Sequence, residues 1–430
     1  MQLIIRCDRN KNDHTDMKRK LLTIVFALTA VVLYAQDNEF GIDAQLRTRG
    51  EHDNGAVIPL KEGQQSANYI NERARLSFDF KRDNLQLKAS VQHTGLWGEF
   101  DSSEPNGRAT MVEAWAKMTF GEKLFVQAGR MQLAYDDERI FGAQDWGVNG
   151  CWHNAALLGY EYGHNRLHLI AAMNQEEPNN GDYYNGPVPY KNMQALWYHY
   201  KSDMIPLGVS LLALNTGYER GTENHGRTNY MQTYGTDITF RPMAWNVHGA
   251  FYYQMGKTSL RSVNAWLASG SIGFDFAPEL SVSAGYDYMS GNDQNTKWSD
   301  TNHAFNALYG TSHKFFGAMD YFGNTVFWGL QDIQGMVKSK LFDKLQLQLN
   351  YHYLMTVQEV KQLGKRLGHE IDFQLSTELM KDVTLSAGYS TMLGTEAMDY
   401  VKNVSGSHDV WQDWAWIQLN INPRILFVKW

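Results

Sequence analysis

Between Glu39 and Ile421 the chain repeats one plan. Stretches of about ten residues alternate apolar with polar side chains, and they are joined in turn by a short connection and a long polar one. In Leu85-Gln86-Leu87-Lys88-Ala89-Ser90-Val91-Gln92 a strand sets Leu85, Leu87, Ala89 and Val91 on one face and polar groups on the other, because successive side chains point to opposite sides. Val112 to Met118, Leu345 to Tyr353 and Val383 to Tyr389 repeat the pattern. One such strand suits any half-buried sheet. A whole chain of them, with connections that alternate in length, suits an all-β fold of one kind: a transmembrane antiparallel β-barrel, lipid on one face of each strand and water on the other. A soluble sandwich or propeller would share the aromatic content, but it gives no reason for alternating loops, and no repeat of roughly 40 to 50 residues is present.

The first residues read as an export signal. Met17-Lys18-Arg19-Lys20 is basic, Leu21 to Leu33 is apolar, and Ala35 before Gln36 offers a cleavage point. The run of ~15 apolar residues falls short of the ~20 that a membrane helix needs. The expected domain plan is therefore 1–16 as an over-long start, 17–35 as a signal peptide and 36–430 as a single barrel in the outer membrane of a Gram-negative bacterium. Removal of residues 1–35 lowers Lys+Arg from 39 to 33 and Asp+Glu from 46 to 43, a formal charge of −10. Cys151 is then the one cysteine, so no internal disulfide is possible. The mean hydropathy of −0.45 excludes a bundle of membrane helices and fits a barrel, where half of each strand faces water.

The alternation predicts eighteen strands, near 39–52, 70–82, 84–97, 110–120, 123–131, 153–162, 165–175, 191–201, 206–218, 229–241, 244–256, 263–276, 279–291, 327–341, 344–357, 366–379, 382–394 and 410–421. An even count returns both mature ends to the periplasmic side, where Arg82-Asp83, Gly121-Glu122, Pro242-Met243 and Met380-Lys381 make tight turns. Residues 53–69, 132–152, 176–190, 292–326 and 395–409 become external loops. Two aromatic girdles emerge from this placement, with Phe78, Phe80, Phe240, Phe274 and Phe276 at inner strand ends and Tyr286, Tyr288, Tyr351, Tyr353 and Tyr389 toward outer ones. Loop 292–326 is too apolar to sit in water. Its Phe305, Leu308, Tyr309, Phe315, Phe316 and Tyr321 predict a segment that folds back, as a lid over the mouth or a constriction in the lumen.

Eighteen strands enclose a lumen that strand side chains cannot fill, so the expected function is passage of a solute. Inward positions on the first five strands are rich in basic groups: Arg47, Arg49, Arg73, Arg75, Lys88 and Lys117, with Arg130 and Arg166 beyond. Confined guanidinium groups attract anions and fork onto carboxylates. Asp43, Asp79, Glu113 and Asp237 are inward too, and the competing reading is a set of Arg–carboxylate ladders that brace the wall.

Ala128-Gly129-Arg130, followed by Tyr135-Asp136-Asp137-Glu138-Arg139-Ile140-Phe141-Gly142-Ala143-Gln144-Asp145-Trp146, resembles the alginate-export family of outer-membrane barrels. So do Tyr286-Asp287-Tyr288 with Ser290-Gly291-Asn292-Asp293, the stretch from Phe305 to Phe322, and Gly368-His369-Glu370-Ile371-Asp372. The resemblance spans most of 39–421. It implies an eighteen-stranded channel with a basic lumen that passes a polyuronate or related anionic glycan outward, and it puts Arg130 and Arg139 on the path. Modest outer loops and several inward acids depart from the pattern and put alginate itself in question.

Other chemistries find little support. His369-Glu370 lacks the second histidine of a zinc-protease helix and falls in a predicted strand. Asp136-Asp137-Glu138 suits Ca²⁺ less well than a loop salt bridge to Arg139. Ser281 and Ser283 would have to serve a barrel hydrolase without a G-x-S-x-G. No phosphate loop or nucleic-acid patch is present, and neither cofactor nor metal is expected. The expected partners are outer-membrane lipid and an anionic carbohydrate or small anionic solute. A weakly selective general porin is the alternative, and a barrel-scaffold hydrolase the third reading.

Overall fold

The computed structural model describes residues 38–430 apart from 100–108, 176, 179–180, 185–187, 224, 324 and 343. The segments read as an over-long start and a signal peptide lie outside the described residues. The chain forms a closed antiparallel barrel of eighteen strands. The first nine are β1 (Asn38–Asn54), β2 (Ala67–Arg82), β3 (Leu85–Leu96), β4 (Ala109–Phe120), β5 (Leu124–Met131), β6 (His153–Tyr162), β7 (Asn165–Met173), β8 (Asn192–Lys201) and β9 (Leu207–Glu219). They are followed by β10 (Thr228–Phe240), β11 (Trp245–Lys257), β12 (Ser262–Ala277), β13 (Leu280–Met289), β14 (Leu330–Leu341), β15 (Leu345–Met355), β16 (Arg366–Met380) and β17 (Val383–Gly394). The last strand, β18, is in two pieces, Gln412–Ile421 and Arg424–Lys429.

Closure falls between β1 and β18. Leu46 pairs with Ile421 and Glu39 with Lys429, and the backbones of Asn38 and Trp430 bond to each other at 2.9 and 3.0 Å. The sequence pattern ends the last strand at 421, but pairing continues to Lys429. Pro423 removes one donor, yet its carbonyl still accepts from Ala44 N at 3.0 Å, so the proline interrupts the ladder without ending it. Among the described residues no helix is long and apolar enough to cross a membrane. The one α-helix among the described residues, α1 (Glu396–Lys402), lies in the external loop before β18, where Thr395 Oγ1 accepts from Met398 N and Asn403 closes it in the left-handed region.

Strand-to-strand turns on the periplasmic side use residues that tolerate positive φ, among them Asp83, Gly121, Gly163 and Asp382. Leu46, Leu76, Leu87, Leu196, Leu349 and Ile371 are exposed on the outer face, as are the girdle residues Phe276, Tyr286, Tyr351 and Tyr389. Beside most of them a neighbour one position along, such as Arg47, Ser77, Trp197, Asp287, His352 or Ser390, is buried in the barrel.

The interior differs from an open aqueous lumen. On β6 to β13 the inner face is itself apolar toward the outer side, with Leu157, Ile170, Leu214, Tyr252 and Leu267 buried. These side chains pack with Leu133, Ile140 and Phe141 from the β5–β6 loop and with Phe305, Tyr309 and Phe316 from the β13–β14 loop. Strand side chains alone cannot fill a ring this wide, and two inward loops fill much of it instead.

The face assignment predicts an asymmetric cost of charge. Leu349→Arg should destabilise the barrel by about 2–4 kcal/mol in lipid, whereas Gln348→Arg, one residue away on the lumen side, should cost far less. Urea unfolding from vesicles measures both, and equal costs would contradict the assignment.

Candidate functional site

The β5–β6 loop is the first element that narrows the interior. Three arginines on adjacent strands hold it. Arg47 and Arg73 are cross-strand partners, and Arg49 shares their face. Arg47 donates to the carbonyls of Asp145 (2.6 Å), Trp146 (3.2 Å) and Gly147 (2.7 Å). Arg49 donates to Trp146 O at 3.2 Å and to Glu51 Oε1 at 2.9 Å. Arg73 reaches the Asp145 carboxylate at 2.9 Å. All three arginines are buried. The arrangement satisfies the carbonyls of a loop that has left the sheet, which an apolar wall would leave unpaired. Trp146 then stacks on His313 (centroids 4.4 Å apart), with Arg49 lying 4.5 Å over the indole.

Loop 132–152 and the β13–β14 loop clasp each other. Phe141 and Tyr309 form an isolated parallel bridge, Tyr309 N donates to Ile140 O at 3.1 Å and Gly142 N to Tyr309 O at 3.0 Å. Gly142 is required there, because a Cβ would fall 2.2 Å from Thr311 Oγ1. The β13–β14 loop thus folds into the barrel, as its aromatic content predicts. Arg139 pins the pair to the opposite wall, with 2.8 Å contacts to Asp137 and to Asp287 of β13. Burial works against its charge, yet Asp287 and Asp137 hold the guanidinium above its ordinary range. The Asp137–Arg139 salt bridge is the one expected for this acidic run.

The remaining basic residues descend along the same wall toward the periplasm. Arg75 donates to Gln92 Oε1 at 2.9 and 2.6 Å and lies 5.4 Å over Trp152. Lys88 pairs with Glu113 at 3.0 Å, and Lys117 sits 3.7 Å over the Phe125 ring. Arg130 departs from the row. It lies at the distorted end of β5 beside Gly129, close to Cys151 and the buried His153 and Tyr190. Its Nε is buried with no hydrogen-bond partner.

The facing wall is mixed in charge. A cavity of about 540 Å³ is bordered by Asp136, Asp137, Asp237 and His248, with Arg241 and Lys338 also on its border. There His248 Nε2 lies 2.6 Å from Asp237 and 3.8 Å from Asp137. These three residues bring ligand atoms within 4.8 Å of one another, but Asp137 Oδ2 is already held by Arg139. A second recess of about 240 Å³ lies between the loops, bordered by Gln144, Trp146, Asn149, His313 and Asp320.

Sequence reasoning placed Arg47, Arg73, Arg75, Lys88 and Lys117 on one wall. It missed Asp145 and the carbonyls around it as their partners, the Trp146–His313 stack, and the packing of Trp414 and Trp416 beside it. The Asp145-Trp146 pair stood within a family-like motif, the one signal that could have marked it.

A family model described as alginate export matches residues 37–398. No curated protein matches. Among solved structures, OccK5 (OpdH) of Pseudomonas aeruginosa is 10% identical with a TM-score of 0.60, covering 91% of this chain and 99% of that one. OccAB1 of Acinetobacter baumannii is 13% identical with a TM-score of 0.61, covering 90% and 97%. OpdK of Pseudomonas aeruginosa, solved with vanillate, is 9% identical with a TM-score of 0.59, covering 90% and 99%. These likenesses are of fold.

Arg139 carries the clearest energetic expectation. Arg139→Ala leaves Asp287 buried without its cation and should cost about 3–5 kcal/mol. Adding Asp287→Asn should restore a large part of that. A double variant no more stable than the single, in urea unfolding, would show that the ion pair is not what the loop depends on.

Proposed function

The chain belongs to the alginate export family, and from that premise we propose that this outer-membrane barrel channel passes an anionic solute, an acidic carbohydrate of the polyuronate class, by diffusion along the basic wall of its lumen. The observation that supports the reading is the basic file from Arg49, Arg47 and Arg73 at the loop, through Arg75, to Lys88 and Lys117, in which Asp79 and Glu113 stand beside Lys88. A carboxylate can be passed between guanidinium and ammonium groups spaced along adjacent strands, because each offers directed donors and none holds it alone.

The residues divide the work. Arg47, Arg73 and Arg139 are buried and set the width of the opening through the loops they hold. Arg75, Lys88 and Lys117 are only half-buried and are the groups that meet the solute. Trp146 and His313 border the recess between the loops and present an aromatic surface on which the apolar face of a sugar ring can rest. A second reading, a small carboxylate, is favoured by the size of the two recesses, about 240 and 540 Å³. It is the same ligand chemistry as the vanillate in OpdK.

Reversal potentials in a planar bilayer under a salt gradient test the reading. Wild type should favour anions, and an added oligouronate should block it transiently. Arg75→Ala with Lys88→Ala should lower the anion-to-cation permeability ratio severalfold, most strongly at low salt where charge is least screened. A ratio near one in wild type, with no uronate block, would favour the general porin; block by a small carboxylate but not by the oligouronate would favour the second reading.

A further inference from the structure

The part of the β5–β6 loop that presses on the basic wall carries one acid, Asp145, and it is set down among arginines. Arg47 and Arg73 are cross-strand partners, and Arg49 and Arg75 each stand two residues along on the same inner face. Of these four guanidinium groups, Arg49 has a carboxylate of its own strand in Glu51, 2.9 Å away. Among the described residues Asp145 is the one carboxylate in ion-pair contact with Arg73 and Arg75, with Oδ1 2.9 Å from Arg73 Nη2 and 3.9 Å from Arg75 Nη2.

The two ends of Asp145 are held differently. Its carbonyl is fixed, accepting from Arg47 at 2.6 Å and from Arg73 at 3.3 Å. Its carboxylate is not. The Asp145 side chain is 56% exposed, whereas those of Arg73 and Arg75 are 0% and 16% exposed, so the lumen meets the acid before it meets the guanidinium groups. Arg73 Nη2, although 2.9 Å away, makes no aligned hydrogen bond to it. A guanidinium that binds a carboxylate strongly does so as a fork, with two parallel N–H···O bonds. Here one oxygen is held between two guanidinium groups by charge alone, and water competes for a pair so exposed. The side chain can therefore rotate into the lumen while the loop stays where Arg47 keeps it.

We propose that Asp145 is a specificity-determining residue: a tethered carboxylate that occupies the Arg73–Arg75 site in the empty channel and yields it to the carboxylate of a passing solute. The inference rests on the anionic path proposed above and adds that the path selects for carboxylates and not for negative charge as such. An entering carboxylate displaces Asp145 because it can turn two oxygens toward donors that Asp145 meets with one. Chloride, a sphere without directed lone pairs in a fork, gains less from the same donors. The tether also limits how long a solute stays. A side chain anchored beside the site competes at the high effective concentration of an intramolecular ligand, so it returns as soon as the solute loosens. Binding strong enough to select and weak enough to release follows from that one competitor.

Asp145→Asn tests the exchange, because it removes the charge, keeps the shape and leaves the carbonyl that Arg47 holds. The full barrel in a planar bilayer is titrated with an oligoglucuronate, and the chloride-to-potassium permeability ratio is taken on the same channels. With the competitor gone, uronate block should tighten severalfold and each blocking event should last longer, while the chloride ratio rises much less. Asp145→Glu, which keeps a carboxylate on a longer arm, should stay close to wild type in both. The proposal is overturned if block in Asp145→Asn tightens no more than the chloride ratio rises, as a general change of field would give. It is equally overturned if conductance grows and block weakens, as loss of a mere brace would give. A wild type without block beside an Asp145→Asn variant with block would support the exchange and sink the solute path; block in neither would sink both.

Discussion

Everything in this barrel depends on the seam between β1 and β18. Hydrocarbon offers no water to an unpaired N–H or C=O, so a sheet in lipid must close on itself. The chain achieves closure by pairing β1 along both pieces of β18. The register of that seam also sets what the lumen contains. It puts Arg47, Arg49 and Glu51 of β1 beside Trp414 and Trp416 of β18, and the Trp414 indole donates to Glu51 at 3.0 Å. A slip of one residue would send the arginines to lipid and the leucines to the lumen. The basic wall is thus a consequence of closure as much as of composition.

The second constraint is volume. A ring of this size leaves an interior that its own side chains cannot span, and a fully open one would leave the β5–β6 and β13–β14 loops in water with their aromatic residues exposed. Both problems have one solution. The loops turn inward, their apolar residues meet an apolar inner face, and their backbone groups are met by buried arginines and by each other. The same guanidinium groups then have two consequences, since a loop tied to Arg47 and Arg73 both narrows the path and occupies the strongest positive charges along it. Structural bracing is the role the structure shows for the outer rungs of this wall, and it extends to Arg75 and Lys88, which pair with Gln92 and Glu113 while remaining half-buried.

The strands were legible because lipid enforces a two-residue period with no tolerance for polar groups on one side. β6 spans 153–162 in both the pattern and the structure, and most other boundaries fall within a few residues. The inward turn of the β13–β14 loop was legible for a related reason, its excess of aromatic residues. The β5–β6 loop carries aromatics in like proportion, Tyr135, Phe141, Trp146 and Trp152, a signal left unused. The rest of its signal was spread over distant inner-face residues such as Leu157, Ile170 and Leu214, whose apolar character reads from sequence only as a strand hydrophobic on both faces. Simple alternation does not hold at the end of β5, where Gly129, at φ +128, with Ala114 O only 2.1 Å from where a Cβ would sit, distorts the strand beside Arg130. The helix α1 occupies seven residues, too few to establish a 3.6-residue period against the surrounding loop.

The charges that sequence alone could not rank are distributed unevenly around the lumen. Arg47, Arg49, Arg73, Arg75, Lys88 and Lys117 gather on β1 to β4, with Glu51, Asp79 and Glu113 among them, and most buried carboxylates lie on β10 to β16, where Arg241 and Lys338 also border the cavity. A net charge says nothing about this distribution, which gives the path a field that varies around its circumference. On the reading proposed above, an anion would keep to the β1–β4 side, and a solute with carboxylates along one edge and hydroxyl groups along the other, as in an acidic sugar, would suit that field better than a compact anion of equal charge.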